Sequence, residues 1–223
     1  MNNANEQTNF LYLLVGLLLL FTLVPVLDEL EFVSARVARG TVFSMLLLVG
    51  VWSLRGGGRY FSTGMTLAVL GVFLNVLAIN AQSSFYYVSS IVTVAGFLLV
   101  AILYTFRQVA FGQEVNANRL VGAVCVYLLL GLIWALAYTL VSVSTPGAFT
   151  GFIPTASPGW DSEWVYFSFV TMTTLGYGDI LPVSAAARTL AWLQAVVGQF
   201  YIAMLVAGLV GAYISDRQNK VPN

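Results

Sequence analysis

The stretch TMTTLGYGDI, residues 171–180, sets paired threonines, two nearly adjacent glycines and an acid between apolar runs of membrane length. Such a polar, glycine-punctuated decapeptide cannot continue a helix, yet its flanks can be little else. The 223-residue chain around it is 59% hydrophobic and 8% charged, far below the roughly one quarter charged that is usual for soluble domains. Its mean hydropathy of +0.88 marks an integral membrane protein. Nine basic and nine acidic residues leave a net charge of zero, so no basic stripe is on offer for nucleic acid. The absence of histidine excludes imidazole catalysis, His metal sites and His pH switching. One cysteine, Cys125, lies in an apolar run and cannot form a disulfide within the chain.

A helix needs about 20 residues to cross roughly 30 Å of hydrocarbon, so apolar runs read almost directly as spans. Six are expected. The first covers Phe10 to Leu27; with no Lys or Arg before it and no small-residue cleavage site after it, it reads as an anchor rather than a removed signal peptide. The second covers Thr41 to Leu54 and extends back through Phe32, with Arg36 and Arg39 snorkelling at the interface. The third runs from Met65 to Ile79, the fourth from Phe85 to Phe106, the fifth from Leu120 to Val143 and the sixth from Ala186 to Ile214. A polar linker, Arg107 to Arg119, separates the fourth and fifth; it is a weak candidate for an interfacial helix.

With cytoplasmic termini, the inner side holds Arg55, Arg59, Arg107, Arg119, Arg217 and Lys220, and the outer side Arg36, Arg39 and Arg188. The excess of basic residues inside favours this orientation and places residues 171–180 near the outer face. Before that stretch come a Pro/Gly/Thr-rich loop, residues 145–160, and DSEWVYFSFVTMT, residues 161–173. The latter is apolar but too short to cross. A short helix followed by non-helical backbone at membrane depth is a re-entrant segment, tolerated only against protein or a water-filled path.

A potassium ion entering such a path must exchange its water for oxygens of suitable number and spacing, and backbone carbonyls provide them. Aiming successive carbonyls at one axis requires backbone geometry that glycine adopts at low cost, and Gly176 and Gly178 are placed for it. Thr174 adds a hydroxyl at the inner end, and the ring of Tyr177 can turn away to brace the strand against the short helix. The C-terminus of that helix carries partial negative charge, which favours a cation below the stretch.

At these residues the chain resembles the tetrameric potassium channels, whose selectivity-filter signature TTLGYGD matches. The resemblance covers roughly Leu120 to Ser215, as outer helix, pore helix, filter and inner helix. It implies that Thr174, Leu175, Gly176 and Tyr177 offer ion-coordinating oxygens, with Gly178 at the outer mouth and Asp179 behind it. Leu175 stands where many members have Val. The Asp behind the filter is often held by a pore-helix Trp in the family, and that position is Tyr166 here, a candidate hydrogen-bond partner for Asp179. Gly198 is a candidate gate hinge or, equally, a point of tight helix packing.

The expected architecture is therefore an all-α membrane protein of six transmembrane helices with a re-entrant pore loop between the fifth and sixth. Residues 1–118 would form a four-helix peripheral domain with its linker, and residues 119–223 a pore domain with a short tail. One motif supplies one carbonyl per level, so a ring implies a homotetramer. Six spans resemble the voltage-gated-like superfamily, yet no Lys or Arg lies between Arg59 and Arg107, which removes the usual sensor. The expected activity is passive, potassium-selective conduction, not enzymatic, with K+ as permeant ion, membrane lipid as surroundings and no organic cofactor or nucleic acid. The expected site is the cell (inner) membrane with both termini cytoplasmic. Two alternatives stay open: a poorly selective cation channel, and a non-conducting membrane subunit that keeps the pore fold for assembly.

Overall fold

The computed structural model describes residues 10–29, 47, 50–51, 57–81, 83–111, 117–151 and 162–219. Their elements are α1 (Phe10–Glu29), α2 (Arg59–Ala81), α3 (Ser84–Phe111), α4 (Ala117–Ser144), β1 (Phe149–Thr150), α5 (Ser162–Met172), β2 (Leu181–Pro182) and α6 (Ala185–Asn219). The expected second span lies outside the described residues, save for Leu47, Gly50 and Val51, which are helical. Among the described residues, three helices are long and apolar enough to cross a bilayer: Arg59–Ala81, Ser84–Ala110 and Asn118–Ser144. The 23 residues of α2 rise about 35 Å, enough for the hydrocarbon core. The 11 residues of α5 rise only about 16 Å, half of it.

Lipid tails are as apolar as leucine, so helices in a membrane associate through close packing and not through expulsion of water. The buried stripe of α2 is accordingly small: Gly64, Ala68, Gly71 and Ala78. A Cβ at Gly71 would stand 3.2 Å from a Val94 methyl, so α3 lies close against this stripe. Tyr60, at the start of α2, has its ring 5.4 Å from that of Tyr104, near the end of α3, which makes the pair antiparallel. α3 also presents Phe97, Leu98, Ala101 and Ile102 to a core shared with Leu13 and Leu17 of α1 and Val126, Leu129 and Leu132 of α4. This core runs continuously from α1 through α4.

α1 and α4 lie side by side and parallel. The backbone N–H of Phe10 donates to Asn118 Oδ1 at 3.0 Å, and eleven residues on the Phe21 ring meets Phe169 of α5 edge to face at 5.0 Å. The α3–α4 connection is tighter than a polar linker suggests. Helix α3 continues through Phe111 and α4 begins at Ala117, so residues 107–111 extend a span and do not form a separate interfacial helix. Arg119 closes the corner, its guanidinium donating to the carbonyls of Val109 and Ala110. Those are carbonyls that the end of a helix leaves without an intrahelical partner. These contacts gather Arg59, Arg107 and Arg119 at one end of the bundle. Arg188 belongs to the start of α6, donating to the carbonyl of Pro182 at 3.2 Å.

The short helix α5 packs against α4 with an aromatic cluster of Tyr138, Phe149, Trp164 and Phe167. Their ring centroids include separations of 4.6 Å for Phe149–Trp164 and 4.8 Å for Tyr138–Phe167. The loop after α4 is not wholly irregular: β1 pairs antiparallel with β2, Phe149 opposite Pro182 and Thr150 opposite Leu181. This two-residue ladder was not legible in the sequence, where Pro and Gly suggested only loop. It ties the chain before α5 to the chain after the 171–180 stretch, anchoring the outer end of that stretch on both sides.

Candidate functional site

Helix α5 ends at Met172 and hands over to residues 173–180, which are neither helix nor strand. The handover is a Schellman cap. The N–H of Thr174 donates to the Thr171 carbonyl at 3.1 Å and that of Leu175 to the Val170 carbonyl at 3.0 Å. Gly176 N–H adds a longer bond to the same Val170 carbonyl, 3.3 Å. Such a cap needs a left-handed residue, usually glycine. Here it is Thr174, with φ of 62°, the one non-glycine residue with positive φ among the described residues. A β-branched residue there is a genuine outlier, costing about 1–3 kcal/mol, and such strain is characteristic of functional sites. The sequence keeps a hydroxyl where backbone preference asks for glycine.

The next two left-handed residues are Gly176, φ 57°, and Gly178, φ 80°, while Leu175 and Tyr177 between them are not left-handed. Alternation of this kind has a specific consequence. In a plain strand successive carbonyls point to opposite sides; turning every second residue to positive φ brings them to one side. Glycine is required at those turns because a Cβ there meets the neighbouring carbonyl. Residues 173–179 are all exposed in the single chain, and beyond the adjoining residues no atom lies within 4 Å of a Cβ built on Gly176 or Gly178. The stretch therefore presents a row of backbone polar groups to open space.

Two aromatic rings stand behind it. Tyr166 of α5 donates its hydroxyl to Asp179 Oδ2 at 2.5 Å, and Asp179 Oδ1 accepts the backbone N–H of Ile180 at 3.0 Å. The Tyr177 ring stacks on Tyr166, nearly parallel at 12° with centroids 6.5 Å apart. The hydrogen bond to Tyr166 is the main reason that the Asp179 carboxyl lies below its usual range, and the same bond, ahead of the nearby negative charge, pushes the Tyr166 phenol up to about 12. Neither residue belongs to a spanning helix. The sign follows: a lowered carboxyl keeps the acceptor ionised until the pH falls below the ordinary carboxylate value, and a raised phenol keeps the donor proton well above neutrality. The brace should therefore be insensitive to pH between about 5 and 9. Tyr166→Phe removes it, and the melting temperature of the purified protein is expected to fall by a similar amount at any pH in that window. An unchanged melting temperature would show that the bond does not brace the stretch.

The candidate hinge, Gly198, lies buried against the end of α5. A Cβ there would stand 2.8 Å from Met172 Cγ and 2.9 Å from the Met172 carbonyl oxygen, so close approach alone accounts for glycine at this position. One turn earlier on the same face is a group the sequence reading missed. Gln194 of α6, fully buried, lies between Tyr138 of α4 and Ser168 of α5. A polar residue inside an apolar span was the available signal; Gln199, which carries the same signal, is exposed.

Comparison with known proteins reaches this same part of the chain. An ion channel family matches residues 126–215. A two-pore potassium channel of Oryza sativa subsp. japonica is 33% identical over 93 residues, covering 40% of this chain and 20% of the relative. A two-pore potassium channel of Arabidopsis thaliana is 41% identical over 58 residues, 26% of this chain and 13% of the relative. An inward rectifier potassium channel of Paramagnetospirillum magnetotacticum is 35% identical over 78 residues, 35% of this chain and 24% of the relative. The chain thus spans a quarter or less of the length of these relatives, and no solved structure matches it. The family and its relatives indicate a channel rather than an enzyme. Residues 126–215, which hold α5, the 173–180 stretch and most of α6, are thus similar to the ion channel family, and the relatives that match this part of the chain are potassium channels.

Proposed function

We propose that the protein is a potassium-selective channel whose filter is residues 174–178. The observation that carries this reading is the alternation of left-handed backbone at Thr174, Gly176 and Gly178, a pattern by which successive carbonyls can be brought to one side. The carbonyls of Thr174, Leu175, Gly176, Tyr177 and Gly178 coordinate the ion in turn, and the Thr174 hydroxyl closes the inner end. Asp179 and Tyr166 hold the outer end from behind. Leu175 does not alter the chemistry, because its carbonyl and not its side chain faces the ion. The carboxyl end of α5 lends partial negative charge to the ion below the filter.

One chain gives one carbonyl per level, so the filter is completed by further copies, in our reading a homotetramer around the ion axis. The exposed, non-helical backbone of residues 173–179 supports assembly, since such backbone persists at membrane depth only against protein or a water-filled path. Six spanning helices, residues 1–118 as a peripheral domain and 119–223 as the pore domain, and cytoplasmic termini complete the proposal. The relatives, potassium channels in each case, support potassium as the permeant ion.

The peripheral helices are not a conventional voltage sensor. A charge crossing the whole field is worth about 2.3 kcal/mol per 100 mV, and a steep sensor needs several on one helix. Helix α3 carries one basic residue, Arg107, near its end. Open probability in planar bilayers is expected to change little between about −100 and +100 mV; steep opening with gating charge that tracks α3 would overturn this. For selectivity, the test is potassium against sodium permeability of the reconstituted protein. Potassium preferred by orders of magnitude supports the filter reading, and equal permeability favours the poorly selective cation channel.

A further inference from the structure

Behind the filter lies a closed chain of hydrogen bonds that begins and ends on α4. The Tyr138 hydroxyl donates to Gln194 Oε1 at 2.5 Å. Gln194 Nε2 donates to the Ser168 carbonyl at 3.0 Å and to Ser168 Oγ at 2.7 Å. Ser168 Oγ in turn donates to the Gly131 carbonyl at 2.7 Å. Tyr138, Gln194 and Ser168 are each fully buried. Gly131 and Tyr138 are two turns apart on one face of α4, so the chain runs from outer helix to inner helix to short helix and back.

The geometry points to Gln194 as a positioning residue that sets the depth and rotation of α5, and through it the ion discrimination of the filter; this rests on the filter reading above. Three features carry the inference. First, a glutamine amide supplies both acceptor and donor in one plane, so it links a phenol on one helix to a carbonyl on another, which an apolar residue cannot do. Second, every polar atom of the chain is satisfied, so displacement of any one helix strands several buried groups at once. Third, the contacts repeat one turn further along both helices: Gln194 meets Ser168, and Gly198 meets Met172. The α5–α6 seam is thus held in register by a polar link above and a backbone contact below. Met172 is two residues from Thr174, and the Val170 carbonyl that caps the filter lies between the two contacts. A slip along the seam therefore moves the cap, and the filter oxygens move with it, although Gln194 touches no ion.

The test is the potassium-to-sodium permeability ratio of the full chain, reconstituted in liposomes, for wild type, Gln194→Met and Tyr138→Phe. Gln194→Met keeps length and volume and removes both halves of the link. Stranding its buried partners is enough to lower the ratio by about tenfold or more in protein that still assembles. Tyr138→Phe removes one bond and lowers the ratio less; it also carries the test should the methionine variant not assemble. A role confined to fold stability predicts a lower melting temperature with an unchanged ratio, and that result overturns the proposal while leaving the filter reading intact. A wild type without potassium preference overturns both.

Discussion

Gly176→Ala should abolish potassium flux without dispersing the assembled protein. Within one chain the added methyl meets nothing within 4 Å beyond the adjoining residues, so the substitution creates no clash with the rest of the subunit. Its cost is in the backbone. Gly176 sits at φ 57°, where an L-residue pays about 1–2 kcal/mol. In the proposed ring of four copies this would sum to on the order of 4–8 kcal/mol, all of it at the proposed ion path. Relief comes from turning the peptide back toward ordinary strand geometry, which takes a carbonyl from the row and leaves a gap in the coordination ladder. The expected result is flux at the level of empty liposomes, with an unchanged elution profile in detergent. Flux within about twofold of wild type would mean that left-handed geometry at 176 is not needed for conduction.

The second large effect is expected at Gly198. The methyl of Gly198→Ala would lie below 3.0 Å from both Met172 Cγ and the Met172 carbonyl oxygen. The side chain can turn aside; the carbonyl, at the end of α5, cannot without moving the start of the 173–180 stretch. Overpacking of this kind costs about 1–3 kcal/mol per site. A hinge and a packing contact then predict different outcomes. If glycine is there only to bend the inner helix, alanine changes open probability and leaves melting temperature and ion preference alone. The packing account predicts lower thermal stability together with a reduced potassium-to-sodium ratio, measured on the same preparation.

The long apolar helices that are described and the left-handed glycines were legible because both follow rules that act on short stretches of sequence. The fifth span, expected from Leu120 to Val143, is α4, and DSEWVYFSFVTMT contains the 11-residue α5, since span length and apolar run length are the same constraint. Gly176 and Gly178 announced left-handed backbone because no other residue adopts it cheaply. Thr174 did not, because its left-handed φ comes from the helix cap and runs against its own preference. The Tyr166–Asp179 bond was expected from the resemblance, and the pairing is in place. What stayed hidden depends on distant residues meeting. The link from Tyr138 to Gln194 to Ser168 spans three helices, and the β1–β2 pairing joins residues about 30 apart in the chain. Asn75, Gln194 and Gln199 carried the same local signal, an amide in an apolar span, and only packing selects Gln194 as the fully buried one among them.

The central claim is that residues 174–178 select potassium. The most direct measurement is the reversal potential of the reconstituted wild-type protein with potassium on one side of the membrane and sodium on the other. A potential close to that of a potassium-selective membrane, unmoved when sodium is raised on the sodium side, is the predicted result. A potential near zero with robust current would contradict the filter account and assign the protein to the poorly selective cation channels.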